Sequence, residues 1–432
     1  MDARALGDLT LDDSLKGVPP GTPTIRLTDV ARLGWNVLRG DLPVPAAILK
    51  QSALEHNGRW MRRFVEMANL RFAPHGKTTM SPQLFARQLD DGAWAITLAT
   101  VSQVRVARRF GVARILLANQ LVDPCAIRYV LGELRQDLEF DFYCLVDSVR
   151  GATMLGDVAR DACAGRPLQV LVEVGVAGGR TGCRTADEAL RVSRAVRAEW
   201  PHVALRGVEG FEGIIAGKDA DDTEARVRDF LDTIGDAARR IAAEDLFTPG
   251  PILLTAGGSA FFDLVADILV GAKLGRESVT VIRSGCYLTQ DAIQYQRAFD
   301  RILARSGVAR RVGEGLRNAL ELCARVQSRP EPTRAILTFG KRDASYDSEL
   351  PRPLWWYRRE THRTPQPLDP AHTVVALNDQ HAYLNLPERS PLEVGDLIGL
   401  GVSHPCTTFD KWQVLAVVDD AYDVVGAVRT FF

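Results

Sequence analysis

No apolar run in this 432-residue chain approaches the roughly 20 residues that span a bilayer, so a helical membrane protein is excluded by length of run alone. No long basic run is present either. With 53 basic and 54 acidic residues the formal net charge is -1, which argues against nucleic acid or an anionic membrane surface as the main partner. The opening Met1-Asp2-Ala3-Arg4-Ala5-Leu6-Gly7-Asp8 carries acids and lacks the apolar core of a signal peptide. Cysteine is sparse: seven, an odd number scattered over a long chain, do not form a disulfide framework. A reducing, cytoplasmic compartment is the expectation.

What is present is ordinary globular composition, 46% hydrophobic and 25% charged, in a chain long enough for two domains. From about residue 70 to 290 short apolar runs alternate with segments of helical spacing. The runs are 70–74, 94–98, 114–118, 140–146, 168–174, 203–209, 251–255 and 279–283. Such alternation predicts a parallel sheet, and eight units fit a (β/α)8 barrel, with an open doubly wound sheet as the alternative. After residue 330 the texture changes to short β-rich runs, which predicts a second, mostly β domain. The barrel is expected over residues 51–310, and the β-rich domain over 1–50 plus 311–432. The connection 341–370, rich in proline, charge and aromatics, reads as a long loop over a functional site.

Barrel sites form where the strands end. The first run ends in Pro74-His75-Gly76-Lys77-Thr78, and a lysine behind a buried strand is a candidate Schiff-base nucleophile, or simply a side chain reaching solvent. His75 is close enough to tune it or to be a packing residue. The last two runs end in Gly257-Gly258-Ser259 and Gly285-Cys286-Tyr287. Bare backbone ahead of a helix suits a phosphate, although ordinary turns read the same way. Lysine and phosphate cradle in one mouth together imply pyridoxal 5'-phosphate.

In the β-rich part, His404-Pro405-Cys406 offers an imidazole and a thiolate. Proline biases its predecessor toward extended backbone, where residues i and i+2 point the same way. The pair suits Zn2+ in an open site, against the alternative of a structural histidine and a buried cysteine. His381, in Asp379-Gln380-His381, is a candidate acid/base group or a surface-turn residue.

These motifs, with Thr407 and Thr408, give a chain that resembles the metal-activated D-serine dehydratase and D-threonine aldolase group, which shares the alanine racemase-like barrel (fold type III). The resemblance runs from about residue 20 to 420. It implies that Lys77 carries the cofactor covalently and serves in catalysis with His381. It implies that His75, Arg180, Gly257, Gly258, Ser259, Gly285, Cys286 and Tyr287 surround pyridoxal phosphate. It also implies that His404 and Cys406 bind Zn2+ or another divalent metal, and that the chain is a homodimer. Members with His-x-Cys are dehydratases and those with His-x-Asp are aldolases, so a D-serine dehydratase-like lyase is expected, with D-threonine aldolase-like cleavage as the alternative. A non-catalytic pyridoxal phosphate carrier is a weaker alternative, since carriers lack the second domain. Two features depart from the pattern: Thr79 and Met80 follow the lysine motif, and the 341–370 segment is long.

Overall fold

A computed structural model describes all residues, 1–432. Eight parallel strands, Arg71–Phe72, Ile96–Leu98, Arg114–Gln120, Asp141–Val146, Leu168–Val174, Val203–Gly210, Ile252–Ala256 and Ser278–Ile282, follow one another around a sheet. The last pairs with the first through Ile282 and Phe72, and a parallel bridge from His75 to Thr97 joins the first to the second. The sheet therefore closes into a barrel, as the alternating pattern predicts.

The strands are near-continuous apolar runs because helices cover the outer face. The helices between them start where the sequence supplies a cap. Thr100, Ser148, Thr185 and Asp219 each accept the backbone N–H three residues on, and Asp123 accepts that of Cys125 ahead of Pro124–Gln136. The helix Gln51–Met67 precedes the first strand and buries Leu54, Trp60, Met61 and Phe64 along one face. Trp60 and Phe64 pack there against Phe262. Its buried Asn57 donates to Leu288 O and Arg317 O at 2.9 and 2.8 Å, tying the barrel's end to the chain that leaves it.

Apart from the short pair Thr10–Leu11 and Ile25–Arg26, the remaining strands form a 10-stranded mixed sheet centred on Leu320–Glu331. Ala46–Lys50, from before the barrel, pairs antiparallel with Leu320–Glu331 and parallel with Val414–Val418. Glu321 is buried at this junction, where Trp355 Nε1 and Tyr422 Oη donate to it at 3.0 and 3.1 Å. Burial raises the Glu321 carboxyl above its ordinary range, and the two donors oppose that rise.

The 341–370 segment is not a plain loop. Arg352–Tyr357 pairs with Leu397–Gly401, and Gln366–Pro367 continues the sheet at its edge. The apolar Trp355 supplies the reason: it packs into the second core, which holds the segment as strand. The two units meet at the barrel mouth, where Phe431 N donates to Met80 O at 2.9 Å. No helix is long and apolar enough to cross a membrane.

Candidate active site

A cavity of about 330 Å³ opens at the C-terminal ends of the barrel strands. Lys77, His75, Arg180, Gly258, Ser259, Gly285, Cys286, His404 and Cys406 all line it, so most residues singled out by motif converge there.

Lys77 sits in a single tight turn, Gly76–Thr78, directly after the first strand. A Cβ on Gly76 would lie 2.7 Å from the Ile96 side chain and 2.8 Å from Phe85, so only glycine brings the turn this close to its neighbours. The Lys77 side chain is exposed, because the mouth it enters is open. His75 beside it has an enclosed Nδ1 with no partner. Burial, with help from Arg283, Lys77 and Arg180, holds its imidazole well below the ordinary range and therefore neutral.

The floor is polar. Arg283, 1% exposed at the end of the last strand, pairs with Glu209 and donates to Gly210 O at 2.9 Å. Burial pushes Glu209 up to about 7, with Arg283 pulling the other way. Glu173 accepts from Gln120 Nε2 and, at 2.9 Å, from Thr181 Oγ1. Arg180 stacks over Phe211, 4.6 Å from the ring centre.

The glycine turns divide differently from the sequence reading. Glu212 takes both the Gly257 and Gly258 amides, at 3.0 and 2.6 Å, so those N–H groups are engaged by a carboxylate. Gly257 does not line the cavity. Tyr287 points away as well: the turn after the last strand sends its ring into the core against Phe72, 5.8 Å between ring centres. What remains for an anion is Ser259 Oγ, which accepts from Cys286 N at 3.3 Å, and the backbone around Gly285. A Cβ on Gly285 would come within 2.6 Å of His75 Cβ, so glycine is required where the two strand ends touch.

His381 falls outside the cavity. It is exposed in the turn between Thr373–Leu377 and Ala382–Asn385, where Asn378 N bonds its carbonyl at 2.9 Å. That turn geometry puts it on the surface of this chain, so a catalytic role within the same cavity is not supported.

His404 and Cys406 reach the mouth from the second domain. Pro405 is not extended: at φ -56° and ψ -41° it starts the short helix Cys406–Phe409, as proline commonly does. The two side chains are thus brought together by a helical turn rather than by strand alternation. His404 Nδ1 lies 2.7 Å from Asp347 Oδ2, and Thr407 Oγ1 donates to Asp347 Oδ1 at 2.8 Å. Cys406 Sγ is 3.5 Å from Thr78 Oγ1 and 3.8 Å from Cys286 Sγ. Hydrogen bonding to Cys406, then to Asp347, raises His404 to about 9. Cys286 and His404 hold Cys406 well below the ordinary thiol range, against the effect of burial.

No three His, Cys, Asp or Glu side chains are arranged to hold a metal unaided. A bound ion here would have two protein donors and open positions, with nitrogen and sulfur suited to zinc. Asp347, in the 341–370 segment, fixes the His404 ring so that Nε2 is the free donor. Asp347→Asn is expected to weaken zinc binding about 10- to 100-fold, as loss of an orienting carboxylate does. Competition against a chromophoric chelator measures it, and unchanged affinity removes the role.

The cavity suits pyridoxal phosphate on its own chemistry. An amine stands at the rim, a serine hydroxyl and a close backbone turn stand at one end, and the enclosed His75 Nδ1, Arg283 Nε and Glu209 Oε2 lack partners.

Fold and mouth together define a barrel of the alanine racemase type with a second, mostly β domain. Two family models match in that order: alanine racemase, N-terminal domain over residues 49–260, and putative serine dehydratase domain over 319–418. The chain belongs to the D-serine dehydratase/D-threonine aldolase family. It is 25% identical over 398 residues to D-threonine aldolase of Arthrobacter sp, covering 92% of this chain and 94% of that protein. It is 27% identical over 256 residues to D-threo-3-hydroxyaspartate dehydratase of Delftia sp. (strain HT23), covering 58% and 62%. One solved structure similar in fold is of a D-threo-3-hydroxyaspartate dehydratase with a cysteine-to-alanine substitution, in the metal-free form. The fold matches the crystal structure of D-threonine aldolase from Filomicrobium marinum, with TM-score 0.73, 22% identity, and 90% and 95% coverage. Family membership supports pyridoxal phosphate as cofactor and a lyase as the enzyme class.

Proposed function

We propose that the protein is a pyridoxal-phosphate- and divalent-metal-dependent lyase that dehydrates D-serine or a related D-3-hydroxy amino acid to a 2-oxo acid and ammonia. The observation that carries this reading is the His404–Cys406 pair in one cavity with Lys77. Pyridoxal phosphate, when bound, supplies an electron sink for the negative charge left at the α-carbon. Lys77, exposed in the cavity, is the amine placed to take the α-proton. Ser259 and the turn at Gly285 anchor the anionic end of the cofactor, and Arg180 lies beside it on Phe211. His404 Nε2 and Cys406 Sγ hold the metal, a Lewis acid suited to polarising a 3-hydroxyl. A soft nitrogen–sulfur pair favours zinc over the harder ions that suit carboxylate ligands.

Retro-aldol cleavage to glycine and an aldehyde is the second reading. It is favoured by the Arthrobacter aldolase matching 92% of this chain against 58% for the Delftia dehydratase. Metal-loaded enzyme incubated with a panel of D- and L-3-hydroxy amino acids separates the two. Ammonia with a 2-oxo acid, from D-substrates only, is the expected result. Glycine with an aldehyde overturns dehydration, and no product from any substrate leaves a cofactor carrier.

A further inference from the structure

Cys286 follows the last barrel strand, whereas Cys406 opens the short helix of the second domain, 120 positions later. Their sulfurs are 3.8 Å apart, near van der Waals contact, and both line the same cavity. Of seven free cysteines these two form the one pair in side-chain contact. The expected role of Cys286 at the phosphate end uses only its backbone, since it is the amide that meets Ser259. The thiol is left facing a metal-binding sulfur.

Cys406 Sγ lies 3.5 Å from the Thr78 hydroxyl and 3.8 Å from the Cys286 thiol, at the wall of a cavity that a small oxidant can enter. A second thiol in contact with such a group is a resolving partner. Forming the bond from the observed separation closes the sulfurs by about 1.8 Å, to the usual S–S length of about 2.05 Å.

We propose that Cys286 and Cys406 form a reversible disulfide that removes Cys406 from the metal-binding pair, with low-molecular-weight disulfides as the oxidant class. The Cys406 thiolate attacks one sulfur of the oxidant, forming a mixed disulfide and expelling a thiolate that takes up a proton. Cys286 loses its proton and attacks the Cys406 sulfur, forming the protein disulfide and expelling the second thiol. Two protein thiols are oxidised by two electrons, and one disulfide is reduced to two thiols. The loss of metal binding rests on the role given to Cys406 under Proposed function; formation of the bond does not.

The full-length chain, stripped of metal, is treated with 2-hydroxyethyl disulfide, and its thiols are mapped by alkylation and peptide mass spectrometry. The expected product is a cross-linked Cys286–Cys406 peptide about 2 Da lighter than the two reduced peptides. Zinc uptake, read by chelator competition, is lost, and dithiothreitol restores it. Zinc loaded beforehand slows the reaction at least about tenfold, because the thiolate is then occupied. Cys286→Ser should take up zinc when reduced and give only a mixed adduct at Cys406.

Three results overturn the proposal. Cys286 and Cys406 stay fully alkylatable while the exposed Cys125 and Cys163 react. The cross-link forms but zinc uptake is unchanged. Or folded, reduced Cys286→Ser has lost zinc uptake, which makes Cys286 a ligand instead. Zinc uptake by the reduced wild-type chain tests the metal pair separately, so failure of that reading is distinguishable.

Discussion

Lys77→Ala lowers turnover by about 10⁴-fold or more, the upper range for loss of a general base, and removes covalent attachment of the cofactor as well. Borohydride reduction of the cofactor-loaded wild type labels the peptide holding Lys77; the variant gives no labelled peptide. The expectation follows from position. Lys77 is exposed in the cavity and carried by a turn whose Gly76 is locked against Ile96 and Phe85, and it makes no ion pair that would divert its amine. The other cations there are committed: Arg283 to Glu209, and Arg180 to the Phe211 ring. Label on a different lysine, or wild-type turnover by the variant, ends the pyridoxal reading of this cavity.

Removing a metal donor should cost more than removing the carboxylate that orients one. Cys406→Ala leaves His404 alone, and zinc affinity is expected to fall beyond the roughly 100-fold of an orienting partner. Metal-dependent ammonia release disappears, yet the cofactor stays bound, because nothing at Ser259 or Lys77 has changed. Cys406→Asp should recover binding with the preference moved from zinc toward manganese or magnesium, since carboxylate is a harder ligand. Metal titrations of both variants, read with the cofactor's own absorbance, check this; an unaltered zinc affinity in Cys406→Ala sinks the metal role.

The same pair makes metal binding depend on pH. His404 is held up to about 9 by Cys406 and Asp347, so at pH 7 the imidazole is protonated, while His404 and Cys286 hold the Cys406 thiol below its ordinary range. Zinc must displace the imidazole proton. Affinity is therefore expected to climb about tenfold per pH unit from 7 toward 9 and then level off, with close to one proton released per ion in weak buffer at pH 7. A flat profile over that range excludes His404 as a ligand.

Local pattern carried the barrel and much of its mouth. Lys77, Arg180, Ser259, Gly285, His404 and Cys406 are legible because strand ends and short motifs announce them, and all line one cavity. What stays hidden is pairing across the fold. Glu209 and Arg283 lie 74 positions apart, on strands separated by Ile252–Ala256, and meet only because barrel curvature brings both ends to one floor. Asp347 was concealed inside a segment that looked like a loop, and Glu212 gave no sign that it would take the Gly257 and Gly258 amides. Tyr287 and His381 went astray for a simpler reason: a motif places a residue along the chain, whereas turn geometry decides which way it faces.

The strand Ala46–Lys50 has a bearing on how the molecule is made. It leaves the ribosome before any barrel strand, yet its partners, Leu320–Glu331 and Val414–Val418, are synthesised after all of them. The sheet that carries His404 and Cys406 therefore cannot be completed until every barrel strand has been made, with its earliest strand waiting unpaired. In a growing chain the lysine half of the mouth is laid down first, and the half bearing His404 and Cys406 follows.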